Sequence, residues 1–145
     1  MVSFMRYINV TARCAAEYRN DHLADIGIVG LQYSYLLNIC RNPGVSQEEL
    51  SHLIHVNKSN VTRQLASLEE NGFIERSTSP ADKRVTLVYP TQKAHDALPE
   101  IHKVLHDWNK YLTEGFSDEE RETLRSLMER VSARAIDYME NGKAD

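Results

Sequence analysis

The sequence predicts a mainly α chain with one small β-hairpin, in the order α-α-α-α-β-β-α-α. Three observations carry this. Apolar residues recur every three or four positions along most of the 145 residues. Two Ser-x-x-Glu capping boxes, Ser46 with Glu49 and Ser117 with Glu120, mark helix starts. Between about Phe73 and Tyr89 the pattern changes to strand-like composition around a turn-rich segment.

The elements follow in order. From Val2 to about Arg19, Phe4, Ile8, Ala12 and Ala15 stand at helical spacing, and Asn20-Asp21-His22 reads as a frayed end. A second helix runs from about Leu31 through Tyr35, Leu36, Ile39 and Cys40, and Asn42-Pro43-Gly44 stops it, because proline cannot continue the ladder. Ser46 opens the third, with Leu50, Leu53 and Ile54 as its buried stripe. Asn57 is a good N-cap for the fourth, whose stripe is Val61, Leu65 and Leu68 and whose stop is Gly72.

Phe73–Arg76 and Arg84–Tyr89 are the expected strands, the second with Val85, Leu87 and Tyr89 alternating against Thr86 and Val88. The segment Ser77-Thr78-Ser79-Pro80-Ala81-Asp82-Lys83 makes a long tip. Thr91 begins a long helix with Ala94, Leu98, Ile101, Val104, Leu105, Trp108, Tyr111 and Leu112 on one stripe, and Pro99 is a candidate kink. After Ser117, Leu124, Leu127, Met128, Val131, Ala135 and Met139 carry a last helix to about Asn141.

Composition narrows the function classes. The length suits one domain over 1–145, and 41% hydrophobic with 26% charged residues is ordinary for a globular protein. With no signal-like start and no apolar run long enough to span a bilayer, a cytoplasmic protein without a membrane partner is expected. Cys14 and Cys40 form no CxxC pair and suggest no disulfide framework. A net charge of −4 means that any surface for phosphates must be local. Phosphate loops, dinucleotide fingerprints, HExxH motifs and nucleophile elbows are missing, which argues against an enzyme and leaves no cofactor to name.

Two short helices joined through Ile54-His55-Val56-Asn57 and followed by a hairpin make a winged helix-turn-helix over about 31–90, whose second helix can enter a major groove. At about 100° per residue, Ser59, Asn60, Arg63 and Ser67 face away from the apolar stripe, with Lys58 and Gln64 on its flanks. That face has no carboxylate before Glu69 and Glu70. Arginine can bracket a guanine edge, asparagine or glutamine an adenine edge, and serine or lysine can hold phosphates. At the hairpin tip, Asp82-Lys83-Arg84 offers two cations beside a carboxylate that could aim the arginine into a narrow minor groove. Taken singly, a solvated helix face and a charged turn explain these residues too; their succession favours DNA.

The succession of elements and several local signatures resemble the MarR family along nearly the whole chain. Leu31-Gln32-Tyr33 leading to Leu36-Leu37-Asn38-Ile39 and Pro43-Gly44 is similar to that family's second helix and its exit. Ser46-Gln47-Glu48-Glu49-Leu50, Asn57-Lys58-Ser59-Asn60-Val61-Thr62-Arg63 and Leu68-Glu69-Glu70-Asn71-Gly72-Phe73-Ile74-Glu75-Arg76 resemble its helix-turn-helix running into the wing. Asp82-Lys83-Arg84 resembles its wing signature, in which the aspartate orients and the arginine contacts DNA. The resemblance implies a homodimer intertwined through its terminal helices, here about 2–19 and 91–141. It also implies a pseudo-palindromic DNA site and a small ligand or oxidant that weakens binding. The apolar stripes of those helices, with Trp108, Tyr111 and Leu112, independently exceed what a small wing domain can cover.

What releases the DNA stays open at this level. Tyr33, Tyr35 and Trp108 could help line a crevice for a small aromatic ligand, although each such aromatic is more often plain core. The peroxide-sensing branch of the family carries its cysteine near the position of Met5, so Cys14, well downstream, reads as a buried, inert thiol. His102 and His106 stand i,i+4 and His22 could supply a third zinc ligand, although Tyr33 and Ser34 stand where the zinc-responsive branch has further ligand-type residues. Solvated helix histidines are the simpler reading, as for His52 and His55. The remaining rival is a winged-helix module that docks protein, against which the carboxylate-free helix face and Arg84 both speak.

Overall fold

A computed structural model describes residues 2–142. The elements are α1 (Phe4–Leu23), a short 3-10 turn (Ala24–Ile26), α2 (Gln32–Arg41), β1 (Val45–Ser46), α3 (Gln47–Ile54), α4 (Lys58–Glu70), β2 (Ile74–Thr78), β3 (Thr86–Pro90), α5 (Gln92–Leu112) and α6 (Asp118–Asn141). The chain divides into two compact units, with the boundary between Trp108 and Asn109.

In the first unit, the core gathers Tyr35, Leu36 and Ile39 from α2, Leu50 from α3, and Val61, Leu65 and Leu68 from α4. Phe73, Ile74 and Val88 enter it from the sheet, Ala94, Ile101 and Val104 from α5, and Leu23 and Ile28 from the α1–α2 connection. Local chemistry sets the helix ends. The Ser46 hydroxyl accepts from the Glu49 amide while the Glu49 carboxylate accepts from the Ser46 amide, and the Asn57 side chain accepts from the Asn60 amide. At the far end of α4, Gly72 takes φ +80°, the left-handed value that favours glycine, and the Phe73 amide returns to the Leu68 carbonyl at 2.9 Å.

Four local expectations need correction. First, α1 does not fray at Asn20-Asp21-His22 but continues to Leu23, which is buried and anchors its end. The intervening polar residues are simply its exposed face. Second, Leu53 is exposed, and Ser51 is buried in α3 beside Leu50.

Third, the hairpin has a third strand: β1 pairs with β3, giving the antiparallel order β1-β3-β2 with Val45 opposite Val88 and Arg76 opposite Val88. Fourth, β3 turns its other face inward. Val88 is buried and Tyr89 exposed, the reverse of the expected alternation, because the register sets Val88 beside Val45 against the helices. Helix α5 runs continuously through Pro99.

In the second unit, Ser117 caps α6 with a reciprocal box to Glu120. No residue of this 24-residue helix is buried. Leu124, Leu127, Met128, Tyr138 and Met139 are all exposed.

Candidate nucleic-acid interface

Helix α3, the turn at His55–Asn57 and α4 form the helix-turn-helix. His55 closes α3 in the left-handed conformation (φ 59°, ψ 48°), and the Val56 amide donates to the Ser51 carbonyl at 3.2 Å. The chain thereby reverses within three residues and leaves Lys58 and Ser59 exposed in the first turn of α4.

Three stripes divide the surface of α4. Val61, Leu65 and Leu68 are buried. Ser59, Thr62, Arg63 and Ala66, spaced i, i+3, i+4 and i+7, form an exposed stripe. Arg63 enters no hydrogen bond or ion pair among the described residues other than its electrostatic influence on Tyr35. Lys58 at the N-terminus is exposed and loosely paired with Glu48 at 3.5 Å, a surface ion pair that holds it only weakly.

The third stripe, Asn60, Gln64 and Ser67, is not the free outer face that helical projection suggests. Asn60 Oδ1 accepts a short hydrogen bond from the buried Tyr35 hydroxyl. Gln32 Nε2 donates to Gln64 Oε1 at 3.2 Å and to Ser67 Oγ at 3.1 Å. Burial raises the Tyr35 phenol above its ordinary value, and the neighbouring Arg63 charge pulls against that rise. Thr62 and Ala66, by contrast, were missed in the sequence and belong to the exposed stripe.

The wing is built around one carboxylate. Asp82 Oδ1 accepts from the Arg84 amide at 3.0 Å and from its Nε at 3.2 Å, and Oδ2 accepts from Nη2 at 3.3 Å. The Val85 amide donates to the Asp82 carbonyl at 3.0 Å, closing the turn. These bonds from Arg84 hold the Asp82 carboxyl below its usual range, while the Arg84 side chain stays 91% exposed. Lys83 is exposed beside it. At the root of the wing, Arg76 donates to Glu69 Oε1 at 3.2 Å and to Gln47 Oε1 at 3.3 Å, and its backbone amide donates to Glu69 Oε2 at 3.1 Å. Strand β2 is thus fastened to the ends of both helices of the pair. Between wing and helices lies an open cleft of about 300 Å³ that includes Ser46, Lys58, Thr62, Arg84 and Thr86 in its wall.

The candidates for effector sensing fall elsewhere. Tyr35 is fully buried and committed to Asn60, so it lines no crevice. Tyr33 lies under the Arg19 guanidinium at 4.7 Å, and Trp108 stacks on Tyr18, which stacks in turn on His22. Cys14 is exposed, not buried as expected, because it sits on the outer face of α1; Cys40 is half-buried, and burial raises its thiol. His22 Nδ1 lies 2.8 Å from the Tyr18 carbonyl, while His102 and His106 are exposed. Among the described residues no three His, Cys, Asp or Glu side chains converge on a point that could hold a metal ion, so His22, His102 and His106 do not assemble a ligand set within the chain. None of the described helices is long and apolar enough to cross a membrane.

Residues 31–86 match the model of the MarR family. The chain is 30% identical over 131 residues to the uncharacterized HTH-type transcriptional regulator YybA of Bacillus subtilis (strain 168), covering 90% of this chain and 87% of that one. The crystal structure of MarR superposes with a TM-score of 0.82 at 30% identity, over 93% of this chain and 98% of that one. A cysteine-to-serine mutant of MarR from E. coli complexed with operator DNA superposes with a TM-score of 0.81 at 26% identity, over 90% and 94% of the two chains.

Proposed function

The chain belongs to the MarR family of transcriptional regulators, and from that premise we propose that it is a homodimeric repressor that binds a pseudo-palindromic operator and is released by a small-molecule effector in the cytoplasm. The observation that carries the DNA contact is the Asp82–Arg84 pair, a guanidinium held by a carboxylate yet 91% exposed at the tip of a projecting hairpin. An arginine so presented suits the narrow, electronegative minor groove. Helix α4 then lies in the adjacent major groove, where Lys58 and Ser59 hold the backbone and Thr62 and Arg63 meet base edges. Lys83 adds a phosphate contact at the wing.

The dimer is supported by α6, which carries Leu124, Leu127, Met128 and Met139 to the surface with no residue buried. A helix with this many exposed apolar side chains is suited to a second subunit that supplies the missing apolar partner. Two copies also bring two recognition helices to successive major grooves, which makes the affinity sensitive to their separation. An effector that changes this separation releases the operator.

The test is a titration of the purified protein against a duplex from its own upstream region and a scrambled duplex, each at two salt concentrations, with Arg84→Ala alongside. Selective binding that weakens steeply with salt and falls in the variant supports the reading. Absence of binding both to selected genomic fragments and to non-specific DNA at low salt would overturn it.

A further inference from the structure

We propose that Tyr35 and Gln32 of α2 are positioning residues for DNA recognition: through Asn60, Gln64 and Ser67 they fix the roll of α4 about its axis, leaving base reading to Thr62, Arg63 and Ala66. This rests on the reading of α4 as the recognition helix. The apolar stripe alone does not set that roll. Val61, Leu65 and Leu68 restrain it by close packing in the core, and hydrogen bonds between fixed polar atoms, which weaken steeply with misalignment, add a directional restraint on one side of that stripe.

The two donors are well placed to impose one angle. Tyr35 is fully buried and Gln32 is 2% exposed, so neither side chain has freedom to follow a rolling helix. Gln32 is held further because its Oε1 accepts from the Val29 amide at 3.2 Å while its Nε2 donates to both Gln64 and Ser67. The acceptors span two turns of α4 at i, i+4 and i+7, so a rotation that preserved one bond would break another. Asn60 and Gln64 are the residue types that bracket adenine edges elsewhere, yet here their side-chain oxygens are already engaged by the neighbouring helix.

A double-mutant cycle with a position-resolved readout tests this. Wild type, Tyr35→Phe, Asn60→Ala and the double variant are each used to select from a library of randomised DNA duplexes. Affinity for a fixed non-specific duplex and the thermal midpoint are measured in parallel, and Gln64→Ala breaks the second contact, the one from Gln32, independently. The expected result is a loss of selectivity of about tenfold spread over the whole half-site, the scale of one good base contact. Non-specific affinity should stay within about twofold, and the double variant should be no worse than either single one, as for residues that act as a unit.

Relaxation at a single base pair in Asn60→Ala, with the Tyr35→Phe profile unchanged, would overturn the proposal and make Asn60 a direct reader. A parallel fall in specific binding, non-specific binding and thermal midpoint would also overturn it, as a purely structural role. If the wild type selects no sequence at all, the recognition-helix reading itself fails and takes the proposal with it.

Discussion

The Asp82 carboxylate holds Arg84 by three contacts, to its amide at 3.0 Å, its Nε at 3.2 Å and its Nη2 at 3.3 Å. Charge and aim are therefore separable at the wing. Arg84→Ala removes both, and it is expected to weaken binding to all duplexes while lowering the slope of log affinity against log salt by about one. Asp82→Ala keeps the cation but frees it, so it is expected to leave the slope unchanged and to lower affinity less. An Asp82→Ala variant that binds as tightly as the wild type, at the same slope, would show that the carboxylate does not act by aiming the arginine.

The Glu69 carboxylate accepts from both the side chain and the amide of Arg76, and these bonds hold its carboxyl below the ordinary 4.5. A depressed folded-state value means that the unfolded chain binds the proton more readily. The contribution is accordingly complete above pH 4.5 and disappears as pH falls through the lower, folded value. Glu69→Gln should cost no more than about 1 kcal/mol at neutral pH, as for a partly exposed pair. Its stability should also fall less steeply on acidification, so that the two curves converge in acid. Urea unfolding at fixed protein concentration between neutral and acidic pH measures this, and parallel curves would discount the pair.

Much of this fold was legible because the signals that set it are local. Ser46 with Glu49, Ser117 with Glu120, and Asn57 each act within one helical turn, and all three cap as their spacing suggests. What was illegible depends on partners distant in sequence. The inward face of β3 is decided by its pairing with Val45, some forty residues earlier, a two-residue strand with no pattern of its own. The same holds at the candidate site. Asp82 and Arg84 are two residues apart and their pairing could be foreseen, whereas the engagement of Asn60 and Gln64 depends on where α2 packs. Helical projection gives a direction around an axis; it does not say what stands there.

His55 occupies left-handed backbone at the hinge of the helix-turn-helix, with φ 59°. A side chain there costs about 1–2 kcal/mol, and glycine avoids this while losing part of the gain to its freer unfolded chain. His55→Gly should therefore stabilise the protein by about 0.5–1 kcal/mol, read as a higher urea midpoint at an unchanged m value. His55→Val should destabilise it, since a β-branched residue is a poorer occupant of this region. The opposite order would mean that the imidazole makes a contact worth more than the backbone strain.

Leu127 and Met128 are exposed on a helix none of whose residues is fully buried, which makes them sensitive probes of a partner. If the second subunit covers them, Leu127→Glu places a carboxylate in an apolar interface and should yield monomers in sedimentation or light scattering. The loss should propagate to DNA. A monomer holds one half-site, and without the second the operator affinity should fall by about a hundredfold or more, while non-specific contacts per subunit persist. If Leu127 instead faces water, the substitution should change neither mass nor affinity, because an exposed leucine replaced by glutamate on a helix surface is nearly neutral. A wild-type protein that is monomeric at micromolar concentration, yet binds the operator selectively, would remove the dimer from the proposed function and leave the wing and recognition helix standing.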